Sequence, residues 1–124
     1  MAPELAAGTQ AFIARRGLAP SGAAIGVAVS GGLDSMTLAH VLGRLGYALT
    51  ILHANFQLRG PEAHADEAFV LDYFSAQGLP VRTRRFDTKA YAVQHDVSIQ
   101  VAARRLRYAW FEEVALAENL STIA

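Results

Sequence analysis

A six-residue stretch with two serines, two glycines and an aspartate carries the strongest chemical signal in the sequence: Ser30-Gly31-Gly32-Leu33-Asp34-Ser35. Glycine allows a positive φ angle and lets the backbone approach a ligand closely. Serine hydroxyls can donate hydrogen bonds to phosphate oxygens. A carboxylate repels phosphate, so we expect Asp34 either to act through a bound Mg²⁺ or to cap a helix, with Ser35 as an alternative cap. These residue types together predict an anion site, and phosphate is the expected anion.

The flanking residues predict a strand before this stretch and a helix after it. Ile25, Val27 and Val29 alternate with small residues, as in a central strand of a parallel sheet. Residues 36–42 are predicted to form a helix. Free backbone N–H groups at a helix N-terminus attract anions, so this strand–turn–helix junction supports the phosphate interpretation. The stretch matches neither a Gly-x-Gly-x-x-Gly nor a Gly-Lys-Ser/Thr loop.

Composition limits the classes of protein to which the chain can belong. With 124 residues, of which 52% are hydrophobic, the chain forms one domain at most, with a single core. Its formal net charge is zero, so any contact with RNA has to come from a local patch. It has no cysteine, which excludes disulfides and thiolate chemistry and fits a reducing cytoplasm. No apolar run approaches the roughly 20 residues of a membrane span.

Apolar periodicity, interrupted by glycine and proline, predicts the remaining elements. They are a helix over residues 3–17, a strand over 47–53, a helix from Pro61 that Gly78 ends, a strand over 81–86, a short helix near 89–93, a helix over 98–118 and a strand over 120–124. This order predicts an α/β fold with an open, mostly parallel sheet and helices on both faces. Because ligands bind beyond the carboxyl ends of such strands, His53, Ala54 and Asn55 should share one rim with the loop.

The predicted helix over residues 98–118 has apolar or aromatic residues on two sides. One face consists of Ile99, Ala102, Ala103, Leu106, Trp110 and Ala117. The other side gathers Arg104, Arg107, Tyr108, Phe111 and Ala115. A solvent-facing side does not normally collect aromatic residues, so we expect this helix to be covered on both sides, with Arg104 and Arg107 directed into a site or interface. Arginine suits bidentate recognition of phosphate or carboxylate, and the alternative is ion pairing with Glu112 or Glu113.

Three arginines lie in the predicted strand over residues 81–86: Arg82, Arg84 and Arg85. They could meet RNA phosphates. We favour a solvated face instead, because an edge strand uses charge to prevent pairing with another copy.

The loop resembles the SGGxDS motif of the PP-loop ATP pyrophosphatases. Three later stretches are similar to segments of one family in that superfamily, the tRNA(Ile)-lysidine synthases. Residues 53–60, with Asp66 behind them, resemble HxNHxLRG…D, residues 86–88 resemble part of FDxxxYA, and residues 102–108 resemble AARxxRY. The order and spacing agree over about residues 20–124. The resemblance implies a Rossmann-like, five-stranded parallel sheet of the adenine-nucleotide alpha hydrolase type.

The resemblance also implies a reaction. ATP adenylates the C2 carbonyl oxygen of the wobble cytidine in an isoleucine tRNA with a CAU anticodon, and the amino group of L-lysine then displaces AMP to give lysidine. ATP would be bound by Ser30, Gly31, Gly32, Leu33, Asp34, Ser35, His53, Ala54 and Asn55. Asp34 would hold Mg²⁺, and Arg104 and Arg107 would contact ATP phosphate or the RNA backbone. Asp34, Arg104 and Arg107 are therefore the expected catalytic residues.

The chain departs from the family at two points. Phe56-Gln57 stands where the family often has His-Gly, so the resemblance gives no polar role to Phe56, whose aromatic ring could instead stack on a base. In the family, the strand that begins at Leu120 leads into a His/Asp-rich catalytic segment and then into tRNA-binding domains. We therefore expect residues 1–124 to be an N-terminal PP-loop domain, incomplete at its C-terminal end. We expect this piece to be inactive alone and to self-associate through the strand over 120–124, for example as a homodimer.

Two other functions stay open. A tRNA thiolation enzyme of the same superfamily would share the loop, but such enzymes commonly need cysteines, and this chain has none. A non-catalytic nucleotide-binding module would keep the loop and lack the chemistry.

Overall fold

The computed structural model of the chain describes residues 22–124. The helix predicted over residues 3–17 lies outside the described residues. The elements in chain order are β1 (Ala24–Ala28), α1 (Leu33–Arg44), β2 (Ala48–Asn55), α2 (Pro61–Ser75), β3 (Val81–Arg85), α3 (Thr88–His95) and α4 (Ile99–Ala117). Each of the elements predicted between residues 24 and 118 is present, with ends within a few residues of the expected ones.

The three strands form one parallel sheet in the order β1-β2-β3. Ala24 lies opposite Ala48 in the first pair, and Ile51 lies opposite Val81 in the second. Strand β2 is apolar and almost wholly buried because it lies at the centre, whereas β3 is exposed on an edge. All three carboxyl ends therefore point to one rim, as the sequence predicted.

The segment over residues 120–124 pairs with the other edge of β1. The Gly26 N–H donates to the Thr122 carbonyl at 2.9 Å, and the Ala124 N–H donates to the Gly26 carbonyl at 2.8 Å. This pairing is parallel and forms a single bridge between Gly26 and Ile123. The predicted strand from Leu120 is therefore present only as a bridge, and residues 22–124 contain three strands where the resemblance implied five.

Helices cover both faces of the sheet. On one face, α1 and α2 pack against β1 and β2 around Val27, Leu42, Ile51 and Phe74. On the other face, α4 packs against β2 through a smaller cluster formed by Leu52, Phe86, Trp110 and Val114. This confirms the α/β fold with helices on both faces. Among residues 22–124, no helix combines the length and the apolar composition that crossing a bilayer requires.

The helix ends follow from local hydrogen bonding, with one correction. Ser98 caps α4 as predicted, because its hydroxyl accepts the Val101 N–H at 3.1 Å. Helix α1, in contrast, begins at Leu33, with Gly32 as its N-cap and no side chain capping it. The prediction that Asp34 or Ser35 caps this helix is wrong, because both residues already lie inside its first turn.

Helix α4 is buried on one side only. Ala102, Trp110 and Val114 are its buried residues, whereas Ile99 and Ala117, assigned to the apolar face by the sequence, are exposed. Tyr108 is 58% exposed on the side that was expected to be covered. Within the described part of the chain, the prediction of two covered sides is therefore wrong.

Candidate functional site

The loop between β1 and α1 turns sharply at one of its two glycines. Gly31 has a φ angle of +96°, a conformation that side-chain-bearing residues rarely adopt, whereas Gly32 has a φ of −79°. A Cβ atom at Gly31 would lie 3.7 Å from both Asp66 and Val70 of α2. Of the two glycines, only Gly31 uses the positive φ that glycine allows, at a point where the loop runs directly against α2.

The two serines of the loop are joined to each other and to its backbone. Their hydroxyl oxygens lie 3.1 Å apart, and the Ser35 hydroxyl also accepts the Ser30 N–H at 3.1 Å. The Gly32 N–H donates to the Ser30 hydroxyl, and the Ser35 hydroxyl donates to the Gly32 carbonyl, both at 3.2 Å. Both hydroxyls therefore lie within the turn, at the N-terminus of α1, where an anion is favoured.

Leu33 and Asp34 occupy the exposed first turn of α1, and Leu33 is 81% exposed. A carboxylate at this end of a helix is favoured by the macrodipole. Within residues 22–124, no group of three or more His, Asp and Glu side chains is arranged to hold a metal ion. A Mg²⁺ shared between Asp34 and phosphate oxygens of a ligand fits the donor set, since Mg²⁺ is usually held by one or two carboxylates and substrate phosphates.

His53 and Asn55 at the end of β2 are buried and hydrogen-bonded to the protein. His53 Nδ1 lies 2.7 Å from the Val29 carbonyl oxygen, which can only accept, so Nδ1–H donates this hydrogen bond. The Asn55 side-chain oxygen accepts the Gln57 N–H at 2.9 Å, and its amide nitrogen lies 3.1 Å from His64 Nδ1. Asn55 thus anchors the next loop to α2, a role that the sequence did not indicate.

Within the part of the chain that the structure describes, two cavities open at this rim, with volumes of about 240 and 210 Å³. Both are lined by Ser30, Ala54, Phe56 and Arg107. The larger cavity is also lined by His53, Asn55, Gln57, Leu58, Arg59, Ala63 and Asp66. The smaller one is also lined by Ala28, Val29, Ser35, Leu52 and Phe111. The structure therefore brings the loop serines together with His53, Ala54 and Asn55, as predicted from the sequence.

The two arginines predicted to face a site differ in position. Arg107 lines both cavities, and its guanidinium carbon lies 5.2 Å from the centroid of the Phe56 ring. Arg104 lines neither of them, and its guanidinium lies 5.7 Å from the ring of the exposed Tyr108. Neither arginine pairs with Glu112 or Glu113. The structure therefore brings Arg107 to the cavities and does not bring Arg104 to them.

The larger cavity contains two charged residues that were not chosen as site residues from the sequence. Arg59 pairs with Glu62 at 3.1 Å and approaches Asp66 at 3.8 Å. Both Arg59 and Asp66 belong to the LRG…D stretch, so this motif was the signal that could have identified them. Asp66 lies beside Gly31, which places a second carboxylate next to the loop.

The arginines of β3 are paired with glutamates rather than free. The pairs are Arg82–Glu118 at 2.8 Å, Arg84–Glu113 at 2.8 Å and Arg85–Glu67 at 2.9 Å. The hydrogen bonds from Arg85 hold the pKa of Glu67 below its ordinary value. The ion pairs support the interpretation of β3 as a charged edge strand rather than an RNA surface.

Comparison with known proteins gives a consistent match. A family model described as a PP-loop domain matches residues 2–124. The chain is 50% identical over 88 residues to a tRNA(Ile)-lysidine synthase of Parabacteroides distasonis, a match that covers 71% of this chain and 20% of that protein. It is 35% identical over 117 residues to the tRNA(Ile)-lysidine synthase of Dehalococcoides mccartyi, a match that covers 91% of this chain and 25% of that protein.

A third relative extends the same pattern. The tRNA(Ile)-lysidine synthase of Geobacter sulfurreducens is 38% identical over 118 residues, covering 93% of this chain and 25% of that protein. The chain thus spans about a fifth to a quarter of the length of these relatives. The family match extends over nearly the whole sequence and includes the loop, the rim of β2 and the helix that carries Arg107. The chain therefore belongs to the PP-loop family.

Proposed function

We propose that the chain binds ATP, with the pyrophosphate part at the loop over residues 30–35, as the nucleotide-binding domain of a tRNA(Ile)-lysidine synthase. The observation that carries this proposal is the turn itself. Two serine hydroxyls lie within it, at the N-terminus of α1, and Gly31 makes the turn possible. Such a turn offers oriented donors to an anion, and they would stabilise the departing pyrophosphate.

The rim residues take separate roles in this proposal. Asp34 would hold a Mg²⁺ ion, which would neutralise charge on the phosphates. Arg107, in the wall that the two cavities share, contacts a phosphate of ATP. Arg104, which lines neither cavity, contacts the RNA backbone. Ala54 and the buried His53 form the wall against the nucleotide, whereas Asn55 keeps that wall in place.

The proposed reaction has two steps. The C2 oxygen of the wobble cytidine attacks the α-phosphorus of ATP and pyrophosphate leaves, and the amino group of L-lysine then attacks C2 and AMP leaves. The proposed substrates are an isoleucine tRNA with a CAU anticodon and L-lysine, and the name of the relatives, tRNA(Ile)-lysidine synthase, supports the tRNA and the lysidine product. We propose that residues 1–124 act as the N-terminal PP-loop domain of a cytoplasmic enzyme and that other segments supply the remaining catalytic groups.

A chimaera tests this function directly. The chain is joined to the part of the Parabacteroides distasonis relative that follows the aligned stretch, and AMP release is measured with ATP, Mg²⁺, lysine and isoleucine tRNA. Lysine-dependent release supports the proposal. Incorporation of sulfur into tRNA would indicate a thiolation enzyme instead, and ATP binding without AMP release would indicate a non-catalytic module.

The 124-residue chain alone is the matched comparison. We expect it to bind ATP and to release no AMP in a lysine-dependent manner. A rate close to that of the chimaera would contradict the proposal that other segments complete the active site.

A further inference from the structure

The backbone that carries Phe56 is fixed from a neighbouring segment of the chain. The Phe86 N–H donates to the Asn55 carbonyl at 2.9 Å, and the Gln57 side chain donates to the Phe86 carbonyl at 3.0 Å. The Thr88 hydroxyl, in a side chain that is only 1% exposed, donates to the Phe56 carbonyl at 2.8 Å. Gln57 itself has a φ of +56°, which a non-glycine residue keeps only where its surroundings hold it. The position of Phe56 is therefore set by three hydrogen bonds between two segments.

The ring of Phe56 contacts both the ring of Phe86 and the guanidinium of Arg107. It stacks on the ring of Phe86, with centroids 5.5 Å apart and an interplanar angle of 20°. Phe86 in turn contacts Trp110 edge to face at 6.0 Å. The Arg107 guanidinium carbon lies 5.2 Å from the centroid of Phe56. A guanidinium over an aromatic ring is held by the ring while its N–H donors stay available to another partner.

Arg107 differs from the other arginine at the larger cavity in having no competing acid. Among residues 22–124, Arg107 has no ion pair, whereas Arg59 contacts both Glu62 and Asp66. The Arg107 side chain and Ser30 both line the wall that is common to the two cavities. An unrestrained exposed arginine samples many rotamers and loses that freedom when it binds a ligand. A ring that already holds the guanidinium at the wall reduces this loss.

We propose that Phe56 is a positioning residue, whose ring holds the Arg107 guanidinium where it receives a phosphate of the bound nucleotide. Thr88 takes part by fixing the Phe56 backbone. This inference rests on the proposed binding of ATP at the loop. It gives a role to Phe56, the position at which this sequence differs from the family that it resembles, which often has histidine there.

A double-mutant cycle tests the proposal by calorimetric titration of the chain with Mg²⁺–ATP and, separately, with adenosine. The measured quantity is the ratio of the two affinities, because adenosine has no phosphate for Arg107 to contact. We expect Arg107→Gln and Phe56→Leu each to lower this ratio about tenfold, as for loss of one charge-assisted hydrogen bond. The affinity ratio of the double variant should be no lower than that of Arg107→Gln alone, since the Phe56 ring acts only through the Arg107 guanidinium.

Conservative variants separate positioning from mere packing. Phe56→Tyr keeps the ring and should keep the ratio, and Phe69→Leu removes an exposed ring of α2 outside both cavities and should leave it unchanged. Thr88→Val should lower the ratio, whereas Thr88→Ser, which keeps the hydroxyl, should not. Thermal denaturation checks that each variant folds, and if Phe56→Leu does not fold, the two Thr88 variants carry the same test.

Three outcomes would overturn the proposal: an unchanged ratio in Phe56→Leu, additive losses in the double variant, or equal losses in both Thr88 variants. Each of these, with normal ATP binding by the unsubstituted chain, would leave the proposed function intact. Absence of ATP binding by the unsubstituted chain would instead overturn the proposed function, and this inference with it.

Discussion

The side-chain oxygens of Ser30 and Ser35 lie 3.1 Å apart and join the loop after β1 to the first turn of α1. Each hydroxyl also bonds to the loop backbone, so the two side chains form one continuous chain of hydrogen bonds. In the proposed complex with ATP, a phosphate would meet hydroxyls that are already aligned, and the contact between the two hydroxyls would be exchanged for contacts with the ligand.

Replacement of Ser35 by alanine should weaken both the loop and the site. It removes three hydrogen bonds, which join this hydroxyl to the Ser30 N–H, the Ser30 hydroxyl and the Gly32 carbonyl. We expect about 1 kcal/mol loss in the free energy of unfolding and roughly tenfold weaker ATP binding. Urea denaturation and calorimetry measure the two effects. Ser75→Ala, at the end of α2 and outside both cavities, is the control, and equal ATP affinity in the two variants would count against a role for Ser35.

Replacement of Gly31 by valine should abolish ATP binding. Its φ of +96° is unfavourable for a β-branched residue, and the added atoms would face Asp66 and Val70. Gly46→Val provides a matched control, because Gly46 has a φ of +90° in the turn between α1 and β2, and a Cβ atom there would have nothing within 4 Å. Both variants should lose similar stability, and only Gly31→Val should lose ATP binding in a calorimetric titration. Unchanged affinity in a folded Gly31→Val variant would refute the loop as the nucleotide site.

Replacement of Asp34 by asparagine should remove the Mg²⁺ dependence of ATP binding. The helix is capped at Gly32, so the substitution does not remove a cap, and the melting temperature should change little. Titrations with ATP at increasing Mg²⁺ concentration should show a rising affinity for the unsubstituted chain and a flat response for the variant. Asp72→Asn, an exposed aspartate on α2, is the control. If the ATP affinity of Asp34→Asn still rises with Mg²⁺ concentration as in the unsubstituted chain, groups other than Asp34 bind the ion.

The ion pair between Glu67 and Arg85 should make stability depend on pH in the acid range. Hydrogen bonds from Arg85 lower the pKa of Glu67 from its ordinary value of 4.5. A carboxylate whose pKa is lower in the folded chain than in the unfolded chain stabilises the fold. This stabilisation is complete above the pKa of the unfolded chain, and it is lost as the pH falls through the pKa of the folded chain. The stability difference between the unsubstituted chain and Glu67→Gln should therefore shrink below about pH 4.5. Urea denaturation across this range measures it, and a difference that stays constant would contradict the prediction.

The sequence predicted the elements well because hydrophobic periodicity and local breaks determine them. The alternating apolar residues of β1, the Pro61 start of α2 and the Ser98 cap of α4 are each marked by residues that lie close together in the sequence. The start of α1 was placed two to three residues late, because a glycine can occupy the N-cap position without any side-chain signal. The backbone conformation at Gly32 determines where α1 begins, and residue type alone does not predict it.

The candidate site was only partly predictable, because long-range contacts decide the role of several residues. Asn55 was expected to contact the nucleotide, but its side chain is hydrogen-bonded to Gln57 and to α2, which lie close only in the fold. Arg104 and Arg107 have the same residue type and a similar position on the helical wheel. Only the rotation of α4 against the sheet directs Arg107 to the cavities and leaves Arg104 beside Tyr108.

The central claim is that ATP phosphates bind to the backbone of the loop over residues 30–35. The most direct measurement is a titration of the ¹⁵N-labelled chain with Mg²⁺–ATP, and in parallel with pyrophosphate, followed through its amide resonances by NMR. We predict that both ligands shift the amide resonances of Gly31, Gly32, Leu33, Asp34 and Ser35, while only ATP also shifts those of Ala54 and Asn55. Saturable ATP binding that leaves the five loop amides unmoved, or pyrophosphate shifts confined to other parts of the chain, would contradict the claim.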